Sequence, residues 1–179
     1  MKRFLFWIVM MISAVSSAQE KWILDSENST ITYEASHFLH DWAGTNQNVK
    51  GVLIADEDGF EKIAIAMYVR DFDSKNNSRD NNALEILEVL KFPKIEFFSD
   101  KIERNEEQFI FSGNFTFHGK EMTKQVDAQA TLKPNELVLE GSFDLMLSDF
   151  EVPLPSFMMR KMEDRIELKY VLYFHKLDR

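Results

Sequence analysis

Along much of this chain apolar and polar residues alternate one by one. The clearest run is Gln108 to Gly119, Q-F-I-F-S-G-N-F-T-F-H-G. Phe109, Phe111, Phe115 and Phe117 fall on one side of an extended backbone, with Gly113 in the middle of that row. Ile110, Ser112, Asn114, Thr116 and His118 fall on the other. Side chains alternate faces along a strand, so this stretch predicts a half-buried strand with an aromatic inner face. The same alternation recurs at Ile31, Tyr33 and Ala35, and at Val126, Ala128, Ala130 and Leu132. It also marks the odd positions from Leu137 to Leu147 and the even ones from Ile166 to Phe174. Shorter runs at Lys21–Asp25, Val49–Ala55 and Ile95–Lys101 read as strands, and Lys62–Phe72 as a strand apolar on both faces. Turn signals stand between them: D-E-D-G at Asp56, R-N-E-E at Arg104, H-G-K-E at His118 and K-P-N-E at Lys133. His37–Asn48 is mixed, contains Gly44 and predicts a loop.

Only one segment has helical spacing. Ala83–Leu90 carries Leu84, Leu87 and Leu90 on one face, Ser78 or Asp80 can cap its start, and Phe92-Pro93 ends it. Such a short amphipathic helix lies over a sheet or plugs one end of it. About eight strands with hairpin links predict an all-β antiparallel domain. A sandwich fits this pattern. A closed barrel fits it better, because closure removes exposed strand edges. Eight strands is also the size that side chains can fill or that can hold one small ligand.

Three features bear on which of these applies. Gly113 and Gly141 interrupt apolar rows, Ala64/Ala66 and Ala128/Ala130 place small residues at alternate positions, and Val152–Met162 (V-P-L-P-S-F-M-M-R-K-M) is an apolar, Met-rich connection. Methionine adapts its shape to varied apolar guests, and an apolar loop suits a lid or rim. The same residues also suit an ordinary core with bends.

Residues 1–18 stand apart. Lys2 and Arg3 precede an apolar run from Phe4 to Ile12, and Ser16 and Ala18 sit three and one before a cut after Ala18. This is the layout of a cleaved secretory signal peptide, placing residues 19–179 in the periplasm or outside the cell. The run is shorter than the roughly 20 apolar residues a membrane helix needs. Cleavage takes the formal charge from −9 to −11. So acidic a chain, without a basic stripe, argues against nucleic acid as a partner. There is no cysteine, so an exported domain of this size relies on its core rather than on disulfides.

Candidate chemistry is sparse. His37, His40 and Asp41 form an H-x-x-H-D cluster that could hold a metal with His118, but loop spacing does not make ligands converge. Alternatively His37 or His40, with Trp42, borders a cavity mouth and meets a polar head group. Arg79-Asp80 beside a helix start reads as a cap and ion pair. With no cysteine, no G-x-S-x-G and no phosphate-binding glycine loop, no enzyme, cofactor or metal is expected.

Several of these pieces together resemble the YceI-like lipid-binding proteins. They are Trp22, Asp25 and Ser29; Gly44-Thr45 and Gly51; Arg79-Asp80; the F-P-x-I-x-F run of Phe92, Pro93, Ile95 and Phe97, followed by Ser99; and above all G-N-F-T-F-H-G with Thr123-Lys124. Lys120 and Glu121 look like an insertion that lengthens a hairpin, and N-N-A-L-E-I-L-E-V-L lacks the histidine usual in the family's helix. The resemblance implies a lipocalin-like antiparallel barrel whose internal tunnel holds a polyisoprenoid or similar amphiphile, with head-group contacts near Arg79. Phe109, Phe111, Gly113, Phe115, Phe117, Met67, Ala128, Ala130, Phe143 and Tyr170 are then the expected lining, and Phe157, Met158 and Met159 the rim. The expected partners are an isoprenoid-like lipid, transiently a membrane, and a second copy of the chain. An envelope interaction module with a filled barrel is the alternative, and a metal-dependent enzyme a third.

Overall fold

A computed structural model of the chain describes residues 19–57, 59–157 and 159–177, with Phe157 described by its backbone alone. The leader expected over residues 1–18, Met158 and the Phe157 side chain lie outside the described residues. The chain begins with β1 (Glu20–Leu24), β2 (Thr30–His37), β3 (His40–Asn46), β4 (Lys50–Ala55) and β5 (Phe60–Tyr68). A 3-10 turn (Val69–Asp71) leads to β6 (Phe72–Asp73) and the helix α1 (Asn77–Ile86). A run of hairpins follows: β7 (Lys94–Asn105), β8 (Gln108–Phe117), β9 (Lys120–Lys133) and β10 (Glu136–Met146). A second 3-10 turn (Leu147–Phe150) and a small hairpin, β11 (Ser156–Phe157) and β12 (Arg160–Lys161), precede β13 (Arg165–Lys176).

Eight strands close an antiparallel barrel in the order β1-β4-β5-β7-β8-β9-β10-β13, and β13 returns to β1. β13 is paired along both edges. β10 covers one from Glu136 to Met146, while β2 and β1 share the other end to end. β3 and β6 extend the sheet from β2, and α1 packs at that end against β6 and the Val69–Asp71 turn. The alternating rows point inward as the sequence predicts. Phe109, Phe111, Phe115 and Phe117 are buried, as are Leu137, Leu139 and Leu145, and Leu168, Tyr170, Leu172 and Phe174. Each large apolar side chain so buried stabilises the fold by about 1.5–3 kcal/mol.

Several local expectations change. Residues 40–46 form a strand, not a loop: Tyr33 lies opposite Gly44, and its ring occupies the space a Gly44 side chain would need. The strand expected to run to Phe72 ends at Tyr68, where Val69 N–H turns to the Pro93 carbonyl. The cap of α1 is Asn76, whose side chain accepts from Ser78 and Arg79 N–H, and not Ser78 or Asp80. The helix stops at Ile86. Leu84 and Leu87 pack on the core, but Leu90 is fully exposed. Lys120 and Glu121 stand in the arm of the β8–β9 hairpin, opposite Phe117 and Thr116, and so add to its length. Lys120 pairs with Phe117 across the two-residue turn His118–Gly119, in which both residues have positive φ (49° and 74°). Ala64 and Ala66 lie on the outer face of the wall, since Ile63, Ile65 and Met67 take the inner one.

The gap at Gly113 is also filled. The β7–β8 register shifts between Phe98 and Lys101, a bulge that pushes the Phe98–Ser99 backbone toward β8. A Cβ on Gly113 would stand 2.2 Å from the Phe98 carbonyl oxygen and 2.7 Å from Ser99 Cβ. Ser99, fully buried, secures the bulge through its Oγ, which lies 2.8 Å from the Ser112 carbonyl and 2.9 Å from that of Lys101. The expectation that Gly113 leaves room for a ligand is therefore corrected: backbone occupies that room. Gly113→Ala should lower the unfolding free energy by about 3 kcal/mol in urea titration, the cost of overpacking against a rigid neighbour. An unchanged midpoint would mean that the bulge yields.

Candidate functional site

The inner face does not close into a uniformly solid core. At the α1 end lies an apolar cavity of about 170 Å³. The helix and its C-cap contribute Ala83, Leu84 and Leu87; the barrel contributes Ile95, Phe115, Phe117, Leu145, Ile166 and Leu168; and the connection before β13 adds Val152, Pro153, Pro155 and Met162. A smaller, wholly apolar hollow of about 50 Å³ lies deeper, among Met67, Phe111, Phe115, Val126, Phe143, Leu168 and Tyr170. Phe115 and Leu168 line both, so these two side chains stand between the spaces. Two roomier hollows, of about 510 and 650 Å³, open on the outer wall and beside Trp22 and Phe109. Charged groups such as Lys50, Glu96, Arg104 and Lys176 border them.

The local structure explains who lines the inner cavities. Phe150, fully buried at the second 3-10 turn, packs edge-on against Phe115 (5.8 Å) and at a tilt against Phe117 (5.5 Å). His118 fixes that turn. Its Nδ1 lies 2.9 Å from the Phe150 carbonyl, so Nδ1 carries the donated proton, while Nε2 makes a long 3.4 Å contact with Glu88. Tyr170 leans across Gly141 and donates its hydroxyl to the Asp127 carbonyl (2.7 Å), filling the place of a Gly141 side chain. Burial raises the Tyr170 pKa, so this donor keeps its proton. The hydrogen bond falls where the β9–β10 ladder ends: the paired residues stop at Glu140 and Gln129, while β10 continues to Met146.

Polar groups gather at one wall of the end cavity, where Tyr33, Trp42, Arg79, Asp80 and Asn82 meet. The sequence suggests an Arg79–Asp80 pair, but the structure separates their roles. The Asp80 carboxylate accepts from Ser74 Oγ (2.6 Å) and from Ser74 N–H. The Arg79 guanidinium lies 5.5 Å from the Trp42 ring centroid, reaches the same Ser74 Oγ only at a long 3.5 Å, and makes no ion pair among the described residues. Burial, then the charge of Asp80, raises the Tyr33 pKa, so its hydroxyl remains a donor. The wall thus offers a cation and a phenol beside an apolar space, an arrangement that can receive an anionic or polar group attached to a hydrocarbon.

Of the expected lining, Met67, Phe111, Phe115, Phe117, Phe143 and Tyr170 border the two inner cavities, with Trp42 and Arg79 at the polar wall. Phe109, Ala128 and Ala130 are buried yet line neither; Phe109 packs on Phe60 at the opposite end. Met159 is fully exposed. His37 is a tie between hairpins, its Nε2 3.2 Å from the Arg160 carbonyl, and His40 is exposed beside Trp42. His37, His40 and His118 do not assemble: among the described residues no three His, Asp or Glu side chains gather as metal ligands. Reasoning from sequence overlooks Tyr33 and Ala83 and reaches Pro153, Pro155 and Met162 only as parts of the apolar Val152–Met162 connection. The Leu84/Leu87 face, the even positions of β13 and the composition of that connection were signals for part of the lining. Leu168→Ala should join the two cavities at a cost of about 2–5 kcal/mol, read by urea unfolding. A loss well under 1 kcal/mol would mean that the neighbours collapse into the vacated space and keep the two hollows divided.

The YceI-like domain family matches residues 22–174. A UPF0312 protein of Pectobacterium carotovorum is 26% identical over 132 residues, 70% of this chain and 68% of its own length. The fold is similar to that of BcnA from Burkholderia cenocepacia, with a TM-score of 0.76 at 15% identity, covering 84% of this chain and 98% of that one. It is also similar to a polyisoprenoid binding domain from Saccharophagus degradans implicated in plant cell wall breakdown. There the TM-score is 0.69 at 10% identity, over 87% of this chain and 98% of that domain.

Proposed function

The chain belongs to the YceI-like family, and we propose that it binds an isoprenoid-like lipid, tail inside the barrel and head at the Arg79 wall, as a carrier in the periplasm or outside the cell. The observation that carries this reading is the apolar cavity under α1, with a protonated Tyr33 and an Arg79 that has no ion pair among the described residues at one side. The affinity would come from apolar transfer, about 25 cal/mol for each Å² removed from water. Arg79 would add orientation by meeting a phosphate or carbonyl head. The binding domain of similar fold supports this choice of ligand class.

Size sets a condition on the reading. An apolar cavity of about 150 Å³ takes a guest the size of benzene, so the 170 Å³ end cavity does not hold a polyprenyl tail as it stands. The tail must displace Phe115 and Leu168 and run into the deeper hollow. The same small volumes favour the competing reading, an envelope interaction module with a filled barrel. Organic extraction of the purified protein followed by mass spectrometry separates the two. A carrier yields a prenyl lipid, or takes one up when it is added; Ala83→Trp, which fills the end cavity from the helix, should abolish uptake, and Arg79→Met should weaken it roughly tenfold, about the worth of one charge-assisted hydrogen bond. Empty extracts together with no uptake would select the interaction module.

A further inference from the structure

The end cavity lies beside two hairpin tips with apolar residues in water. At the β2–β3 tip, Phe38 is 50% and Leu39 52% exposed; at the β11–β12 tip, Met159 is fully exposed. Leu90 is also fully exposed on the turn after α1, at the same end of the barrel. The two tips are held together. Besides the His37–Arg160 contact, Glu163 N–H donates to the Ser36 carbonyl (3.0 Å), and the Arg160 guanidinium sits 4.6 Å from the Phe38 ring centroid. Inward from the tips, the same segments supply Ala35, Trp42, Pro155 and Met162 to the cavity.

From this arrangement we infer that the α1 end docks on a lipid bilayer, with Phe38, Leu39 and Met159 inserted into the headgroup–acyl boundary and the cavity mouth facing the membrane. The inference rests on the lipid-carrier reading. The tied tips hold Phe38, Leu39 and Met159 in water while their own segments line the cavity, so the surface they meet must be one that can give a lipid to that cavity, as a bilayer can and a folded protein cannot. Arg160 and Lys161, both exposed, stand beside the apolar residues at the depth of lipid phosphates; Asp41 and Glu163, also exposed, offset their charge. With a chain charge of −9, attraction to anionic lipid at long range is not the driving term. Apolar insertion is, and zwitterionic membranes suffice. A lipid would then pass between bilayer and cavity without crossing water.

The absence of native cysteine allows a direct test. Leu39→Cys, Met159→Cys and, at the opposite end, Leu177→Cys are each labelled with an environment-sensitive fluorophore and mixed with phosphatidylcholine vesicles, with and without phosphatidylglycerol. Docking predicts a blue shift and intensity rise at positions 39 and 159 with both vesicle types, and none at 177. In the unlabelled chain, Leu39→Asp with Met159→Asp should lower the vesicle-bound fraction about tenfold while leaving the circular dichroism unchanged. Probes at 39 and 159 that stay in water, or that respond no more than the probe at 177, overturn the proposal. Extraction of the same preparations distinguishes the failures: lipid in the protein with silent probes rejects docking alone, whereas no lipid and no uptake with silent probes rejects the carrier reading too.

Discussion

β13 is the strand on which the barrel depends. It alone among the described strands pairs with three others, because β10 uses one edge while β2 and β1 divide the other. Its inner row, Ile166, Leu168, Tyr170, Leu172 and Phe174, therefore meets side chains from across the whole interior. A slip of one residue would turn every one of these outward. The register is fixed from two directions, by the ladders and by the bond of Tyr170 to the far side of β10. The cavities inherit that precision, since Leu168 borders both.

How much of this could be read beforehand depends on what each residue type reveals. Rows of large apolar side chains on β8, β10 and β13 announced their inner faces, because a half-buried strand permits only one assignment of such a row. Glycines misled. Gly44 made a strand look like a loop, and Gly113 looked like space for a ligand. In both cases the space belongs to a neighbour: the ring of Tyr33 in one, the bulged backbone of β7 in the other. A sequence shows that a side chain is missing but not what takes its place. Ala64 and Ala66 misled differently, since a strand apolar on both faces carries no marker of which face is inner.

The site itself was legible in halves. Phe111, Phe115, Phe117 and Tyr170 follow from alternation, and Leu84 with Leu87 from helical spacing. The polar wall did not follow. Arg79 and Asp80 are adjacent in sequence and invite pairing, yet Asn76 takes the cap and Ser74 takes the carboxylate. That division leaves the guanidinium turned to Trp42, beside the apolar space where a charged head could meet it. The Met-rich connection was read as a rim from composition; its described part is split, with Met162 inside and Met159 in water.

The end of the β9–β10 ladder has a mechanical consequence. Below the Tyr170–Asp127 bond, Gly141–Met146 and the first half of β9 are each paired on their other edge only. The wall there is made of side chains, Phe143 and Phe150 among them, rather than of a continuous row of backbone bonds. Rotamers turn far more easily than ladders break. The barrel can thus swell along this seam at constant backbone hydrogen bonding, and the volume of its interior is set by rotamers as much as by strand number.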